Sequence, residues 1–185
     1  MISFNSTPVD SPAVLWALQN DFLNEAQIRL GTRRKDKKIF QPSWDVDGPH
    51  IYHAATGDGA FAELSDNAKE NWRLAIYQLA HETVHLLDQH YGDVTNLLEE
   101  GLAVKFSLEM LEKYGFEIGG LPSIESYKKA LSLINQLGET SYEIANCCRQ
   151  SCGDFFSIDL ATLKRECPQI NDTVLNELLE YPIMR

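Results

Sequence analysis

Residues 72–103 read WRLAIYQLAHETVHLLDQHYGDVTNLLEEGLA, and the spacing of histidine, glutamate and leucine in this stretch decides how the rest of the chain is read. Residues four apart share one face of a helix, so His81 and His85 project together. Advancing about 100° per residue from His81 places Gln78, Glu82, His85, Asp88 and Gln89 on the same side. Trp72, Ala75, Ile76, Leu79, Ala80, Leu86 and Leu87 fall opposite. The spacing predicts a helix with one face in a core and a compact polar stripe turned toward a cleft.

His81-Glu82-Thr83-Val84-His85 fits H-E-x-x-H. On a helix, two imidazoles at this spacing reach one ion, and the glutamate between them can take a proton from a water bound there. The plainer alternative, a pair of surface histidines, leaves the compactness of the stripe unexplained. Zinc in such a site takes a third protein ligand. The candidates lie in LLEEGLA, residues 97–103, which begins a second helix. There Leu97, Glu100, Ala103, Val104, Ser107, Leu108 and Leu111 share a face, with Glu99 about 100° away and Lys105, Glu109, Glu112 and Lys113 opposite. Glu100 is thus a carboxylate in an apolar stripe and needs a cation, either a metal or a basic side chain from elsewhere. This reading gives zinc held by His81, His85 and Glu100, Glu82 as general base, and Glu99 turned to solvent. Ala103 is small enough to let the two helices approach.

His81-Glu82-x-x-His85 followed by Glu100-Gly101-Leu102-Ala103 resembles the gluzincin metallopeptidases, and most closely the compact minigluzincins of the alanyl-aminopeptidase-like branch. The likeness spans roughly residues 48–150. It implies a zincin-like fold, a Zn2+ cofactor, and a third ligand at the glutamate before the glycine, which is Glu100. The 14 residues between the motifs (86–99) suit a compact member. Tyr142-Glu143-Ile144-Ala145 resembles the Y-E-x-G start of a later helix in that branch, with alanine for glycine, and so implies Tyr142 as the catalytic group that stabilises an oxyanion. Tyr127 is the alternative. For either tyrosine the plain reading is a ring in the core with its hydroxyl at the surface.

The branch's G-x-M-E-N glutamate, which binds a substrate α-amine, has no counterpart in residues 49–55. The resemblance therefore implies hydrolysis within peptides or unfolded protein segments more than removal of N-terminal residues. The alternative is a catalytically restricted or inactive zincin-fold interaction protein, such as a toxin, immunity or regulatory component. The intact base and ligand set favours the enzyme.

Outward from the motifs, Ser11-Pro12 is a helix start and Gly31 its stop. Residues 32–48 read as loop. Residues 51–55 read as an edge strand between Gly48-Pro49 and Gly57-Asp58-Gly59. Asp66 can cap the long helix, expected to run to about Tyr91 and Gly92, and Thr95 to Tyr114 forms the second. Ser123 caps a third helix ending at Gly138, another starts near Ser141, and shorter helices follow between breakers Pro168 and Pro182. The expected class is α+β and mostly helical, one domain over 1–185: an N-terminal helix and loop (1–47), a catalytic core (48–150) and a C-terminal helical segment (151–185). Residues 175–185 could fold over the cleft.

Among the remaining candidates, Asp88 either orients a ligand imidazole or is solvated. His50 and His53 flank the strand as surface histidines that could touch substrate, and His90 packs near its helix end. The charge of -11, from 27 acidic and 16 basic residues, argues against a nucleic-acid partner. The basic run Arg33, Arg34, Lys35, Lys37 and Lys38 reads as a solvated loop. No apolar run approaches the roughly 20 residues of a membrane helix. MISFNSTPVDSP lacks the features of a secretory signal, so the expectation is a cytoplasmic chain. Cys147, Cys148, Cys152 and Cys167 form no C-x-x-C pair and read as reduced, mostly buried thiols.

Overall fold

The structure, a computed structural model, describes residues 3–89 and 95–181. Helix α1 (Pro12–Leu30) opens on proline and buries Leu15, Leu18, Phe22, Ala26 and Leu30, a helical stripe. It stops at Gly31, whose φ of +89° suits glycine, and where a Cβ would lie 2.6 Å from Asn146 Oδ1.

Four strands follow: β1 (Lys38–Ile39), β2 (Ser43–Asp45), β3 (His50–His53) and β4 (Gly59–Ser65). Strand β4 is the centre. Ala60 is flanked by Ile39 and His53, and Glu63 by Ser43 and His50. β1 and β2 therefore follow one another, parallel, along one edge of β4, while β3 takes the other edge antiparallel. β3 pairs with β4 alone among the described residues, which is an edge position. Reading 32–48 as loop missed β1 and β2, which are too short to carry a period and form because β4 offers them a partner. β4 enters the sequence reading only through Gly59, as part of the turn after the strand, with residues 60–65 unassigned. Its alternation is there, with Ala60, Ala62 and Leu64 buried, but small alanines signal it weakly.

Asp66–Ala68 makes only a 3-10 turn. Helix α2 (Trp72–His85) starts six residues after Asp66, because Asn71 supplies the cap by accepting the Leu74 N–H. Its end is also earlier than expected. The Leu87 carbonyl accepts from Arg34 N–H at 2.9 Å, Asp88 is held by Arg149, and Gln89 takes a φ of +48°. Tertiary bonds to residues 87–88 thus replace further helical turns. The expected stop at Tyr91-Gly92, with His90, lies outside the described residues, as does Pro182 and the end of the C-terminal segment.

Helix α3 (Leu97–Lys113) is capped by Asn96 and packs on α2. Helix α4 (Glu125–Gln136) packs on α3, and Ser123 does not cap it. A Cβ on Gly101 would stand 2.5 Å from the Ala130 carbonyl oxygen, so Gly101 is what admits α4. Helices α5 (Ser141–Cys152), α6 (Leu160–Glu166) and α7 (Asp172–Leu178) complete an α+β, mostly helical architecture. No helix among the described residues is long and apolar enough to cross a membrane. Arg34 pairs with Asp36 and Lys38 with Asp58, so acidic neighbours balance part of the basic run. The cysteines are free; Cys148 and Cys167 are buried, but Cys147 is exposed.

Candidate metal centre

Helices α2 and α3 meet at His81, Glu82, His85, Glu99 and Glu100, all but His85 at most 8% exposed. His81 Nε2 lies 3.3 Å from Glu100 Oε2, and His85 Nε2 lies 3.8 Å from Glu100 Oε1. The ligand atoms of His81, His85 and Glu100 all fall within 4.8 Å of one another. Thr95 Oγ1 donates to Glu100 Oε1. Glu100 Oε2 and His81 Nδ1 are buried without a hydrogen-bond partner among the described residues. Glu100 stands in the first turn of α3, where the helix dipole favours negative charge.

Glu99 was expected in solvent, yet it is 4% exposed and its Oε1 lies 2.8 Å from His85 Nδ1. The 100° step between neighbouring glutamates does not turn Glu99 outward, because the start of α3 lies across the end of α2 and both glutamates meet the histidines. The Asn96 cap fixes that phase: its side chain accepts from the Glu99 N–H and its carbonyl from the Glu100 N–H. An acidic pair in a capped first turn was the available signal. By engaging Nδ1, Glu99 leaves His85 Nε2 directed at Glu100, an arrangement typical of metal-binding histidines.

Burial raises the Glu82 carboxyl above the usual carboxylate range, against a smaller opposing pull from His81 and His85. Burial alone would lower the His85 imidazole, but the bond to Glu99 and the charges of Glu100, Glu99 and Glu82 outweigh it and raise it to about 10. Burial would likewise raise Glu100, and the approach of His81 and His85 instead lowers it to about 2. Two imidazole nitrogens, one carboxylate oxygen and an orphaned second oxygen match the donor set of a zinc site with an open position.

The rest of the polar stripe serves other ends. Gln78 is bound to the end of β4, accepting the Ser65 N–H and donating to Ser65 Oγ. Asp88 neither orients an imidazole nor meets solvent: it is fully buried, takes two nitrogens of Arg149, and accepts the Phe155 N–H at 3.0 Å. Arg149 also donates to the Leu30 carbonyl at 3.0 Å, tying together α1, the end of α2 and α5. Gln89 reaches the Lys38 carbonyl at 3.3 Å.

Tyr142 does not join the histidines. Its hydroxyl donates to Glu109 Oε2 at 3.1 Å, and Arg29 and Lys105 lie over its ring. Glu109 is nine residues beyond Glu100, roughly 13 Å along α3 and half a turn round it. Two tyrosines stand beside the centre: the Tyr127 ring, from α4, stacks on His81 at 4.9 Å, and the Tyr77 ring, from α2, lies 6.5 Å from His81, its buried hydroxyl without a hydrogen-bond partner among the described residues. Burial, then the Glu100 and Glu82 charges, push the Tyr127 hydroxyl well above the ordinary tyrosine value. Beyond it opens a cavity of about 440 Å³ lined by Tyr77, Tyr127, Leu74, Leu121, Ile124 and Val46. His50 sits between Glu63 and Asp45 on the sheet. No family model matches the chain, and no curated protein or solved structure matches it either.

Proposed function

We propose that this chain is a zinc-dependent peptidase of gluzincin type that hydrolyses peptide bonds within extended or unfolded segments. The observation that carries the reading is the convergence of His81, His85 and Glu100 on one point, with a buried Glu100 oxygen that no donor of the described chain satisfies. A Zn2+ ion held there would supply Lewis acidity and a bound water that loses its proton near neutral pH. Glu82 accepts that proton and passes it to the leaving amine; a raised carboxyl suits both halves of the task. Tyr127 keeps its proton and offers its hydroxyl as a hydrogen-bond donor to the developing oxyanion, the role that the sequence pattern assigned to Tyr142. Substrate backbone pairs with β3 as an added strand, and the cavity beside Tyr127, walled by Leu74, Leu121 and Ile124 but also by Asp66, Asn67 and Gln78, receives a side chain. β3 carries no carboxylate to hold an α-amine, which favours internal cleavage.

Metal content and cleavage of an unfolded peptide library test this. Glu82→Gln should keep its zinc and lose turnover by about 10²-fold or more. Glu100→Ala should hold one zinc ion fewer per chain than wild type. A wild-type chain that binds no metal at His81 and His85, or a Glu82→Gln protein as active as wild type, would sink the proposal.

A further inference from the structure

We infer that the outer face of the sheet carries a second divalent-cation site, made by Asp45, His50 and Glu63, which takes an ion of the Zn2+ or Mn2+ class and clamps the loop that walls the cavity beside the histidine centre. Register alone brings the donors together. Glu63 of β4 stands opposite His50 of β3 on one edge and opposite Ser43 of β2 on the other, and Asp45 is two residues along β2, on the same face. His50 Nε2 lies 3.0 Å from Glu63 Oε2 and 3.5 Å from Asp45 Oδ2. The three ligand atoms lie within 4.8 Å of one another.

Each carboxylate is also oriented. Ser43 Oγ donates to Glu63 Oε1 at 2.8 Å, which leaves Oε2 for the common point. The Asp47 N–H donates to Asp45 Oδ1 at 3.2 Å, which leaves Oδ2 for the same point. One oxygen of each is thus fixed by the chain and the other turned inward, the arrangement that holds metal-binding carboxylates in place. No lysine or arginine is within ion-pair distance of either carboxylate among the described residues. One imidazole with two carboxylates favours zinc or manganese over calcium or magnesium, which prefer all-oxygen sites. Partial exposure of the donors leaves room for water to complete the shell.

The position gives the ion a task. Asp45 and His50 bracket residues 46–49, and Val46, Gly48 and Pro49 line the cavity next to Tyr77 and Tyr127. An ion bound at both ends of this loop fixes that wall, and it pins the edge strand β3 to β4. The site shares no residue with the group at His81, His85 and Glu100, although the His50 charge reaches the Glu82 carboxyl, and it stands independently of the proposed peptidase activity.

The test counts ions in the full-length chain equilibrated with excess Zn2+, then gel-filtered and assayed by mass spectrometry. Wild type should hold two per chain, Asp45→Asn/Glu63→Gln one, and His81→Gln/His85→Gln one. His50→Gln, checked for folding by circular dichroism, should match the first double variant, with its zinc affinity at this site at least tenfold weaker. Two ions in Asp45→Asn/Glu63→Gln, or one ion in wild type that only His81→Gln/His85→Gln removes, would overturn the second site while leaving the first intact. One ion in wild type that only Asp45→Asn/Glu63→Gln removes would support the sheet site and sink the peptidase reading instead.

Discussion

Replacing Glu99 with glutamine changes one atom of a side chain that need not touch the ion, so its effect isolates positioning from ligation. The carboxylate receives His85 Nδ1–H at 2.8 Å and is 4% exposed. It fixes the tautomer that leaves Nε2 free and makes that nitrogen a stronger donor to a metal. Loss of such a partner typically weakens metal binding about 10- to 100-fold, or about 1.4–2.7 kcal/mol. Glu99→Gln keeps an amide oxygen that still accepts from Nδ1 but carries no charge, and should fall near the tenfold end. Glu99→Ala leaves Nδ1 unpaired and should approach the hundredfold end. The assay is competition against a chromophoric zinc chelator at fixed pH, run in the Asp45→Asn/Glu63→Gln background so that only the histidine centre is counted. Folding is confirmed by circular dichroism. Affinities of both variants within about twofold of their parent, alongside loss of zinc in His85→Ala, would refute the positioning role.

The two tyrosines separate on activity: Tyr127→Phe should lower kcat about 10²–10³-fold with little change in KM, whereas Tyr142→Phe should leave kcat within a few-fold, since its hydroxyl bonds Glu109. Equal losses in both would reassign the oxyanion donor. Arg149→Met strands Asp88 as a buried charge and should cost about 3–5 kcal/mol, read as a fall of roughly 6–20 °C in Tm; Arg149→Lys should recover only part, because an ammonium lacks the planar fork. An unchanged Tm in Arg149→Met would show that the pair is not needed. Gly101→Ala drives a methyl against the Ala130 carbonyl and should destabilise by about 1–3 kcal/mol in urea unfolding, with weaker zinc binding because Glu100 is its neighbour. A neutral result would mean that α4 can withdraw from α3 freely.

The helical wheel anticipated the grouping of His81, His85 and Glu100 because a helix fixes its own phase: the histidines share one face of α2, and Glu100 lies in the apolar stripe of α3. What it could not reach was the relation between elements. Glu99 looked solvated on the wheel, yet the crossing of α3 over the end of α2 places it on His85. Tyr142 matched a short pattern, but α5 sits beside the wrong face of α3, and only the packing of α4 through Gly101 brings Tyr127 onto His81. Asp88 sits on the metal face of an ideal helix, and α2 ends before reaching it. Arg149, 61 residues away in sequence, then claims the carboxylate. The sheet suffered most, since β1 and β2 exist only as partners of β4 and have no period of their own.

The helix junction buries three carboxylates, Glu82, Glu99 and Glu100, against two imidazoles. With both imidazoles neutral, such a group would carry three uncompensated negative charges in a place with little water, a state that is prohibitively costly. The chain alone has one remedy, which is to hold protons. Burial pulls the Glu82 carboxyl up, and against burial the facing carboxylates raise the His85 imidazole, so both shifts run in that direction. Glu100 Oε2 makes no well-aligned hydrogen bond among the described residues, with His81 Nε2 standing 3.3 Å away. A divalent ion held between His81, His85 and Glu100 would remove most of that charge and give the Glu100 oxygen a partner. It would do so where Glu99 already holds His85 in the ligating orientation. The proposed metal centre would exchange those protons for the ion, leaving His85 Nε2 to ligate and Glu82 as the adjacent base.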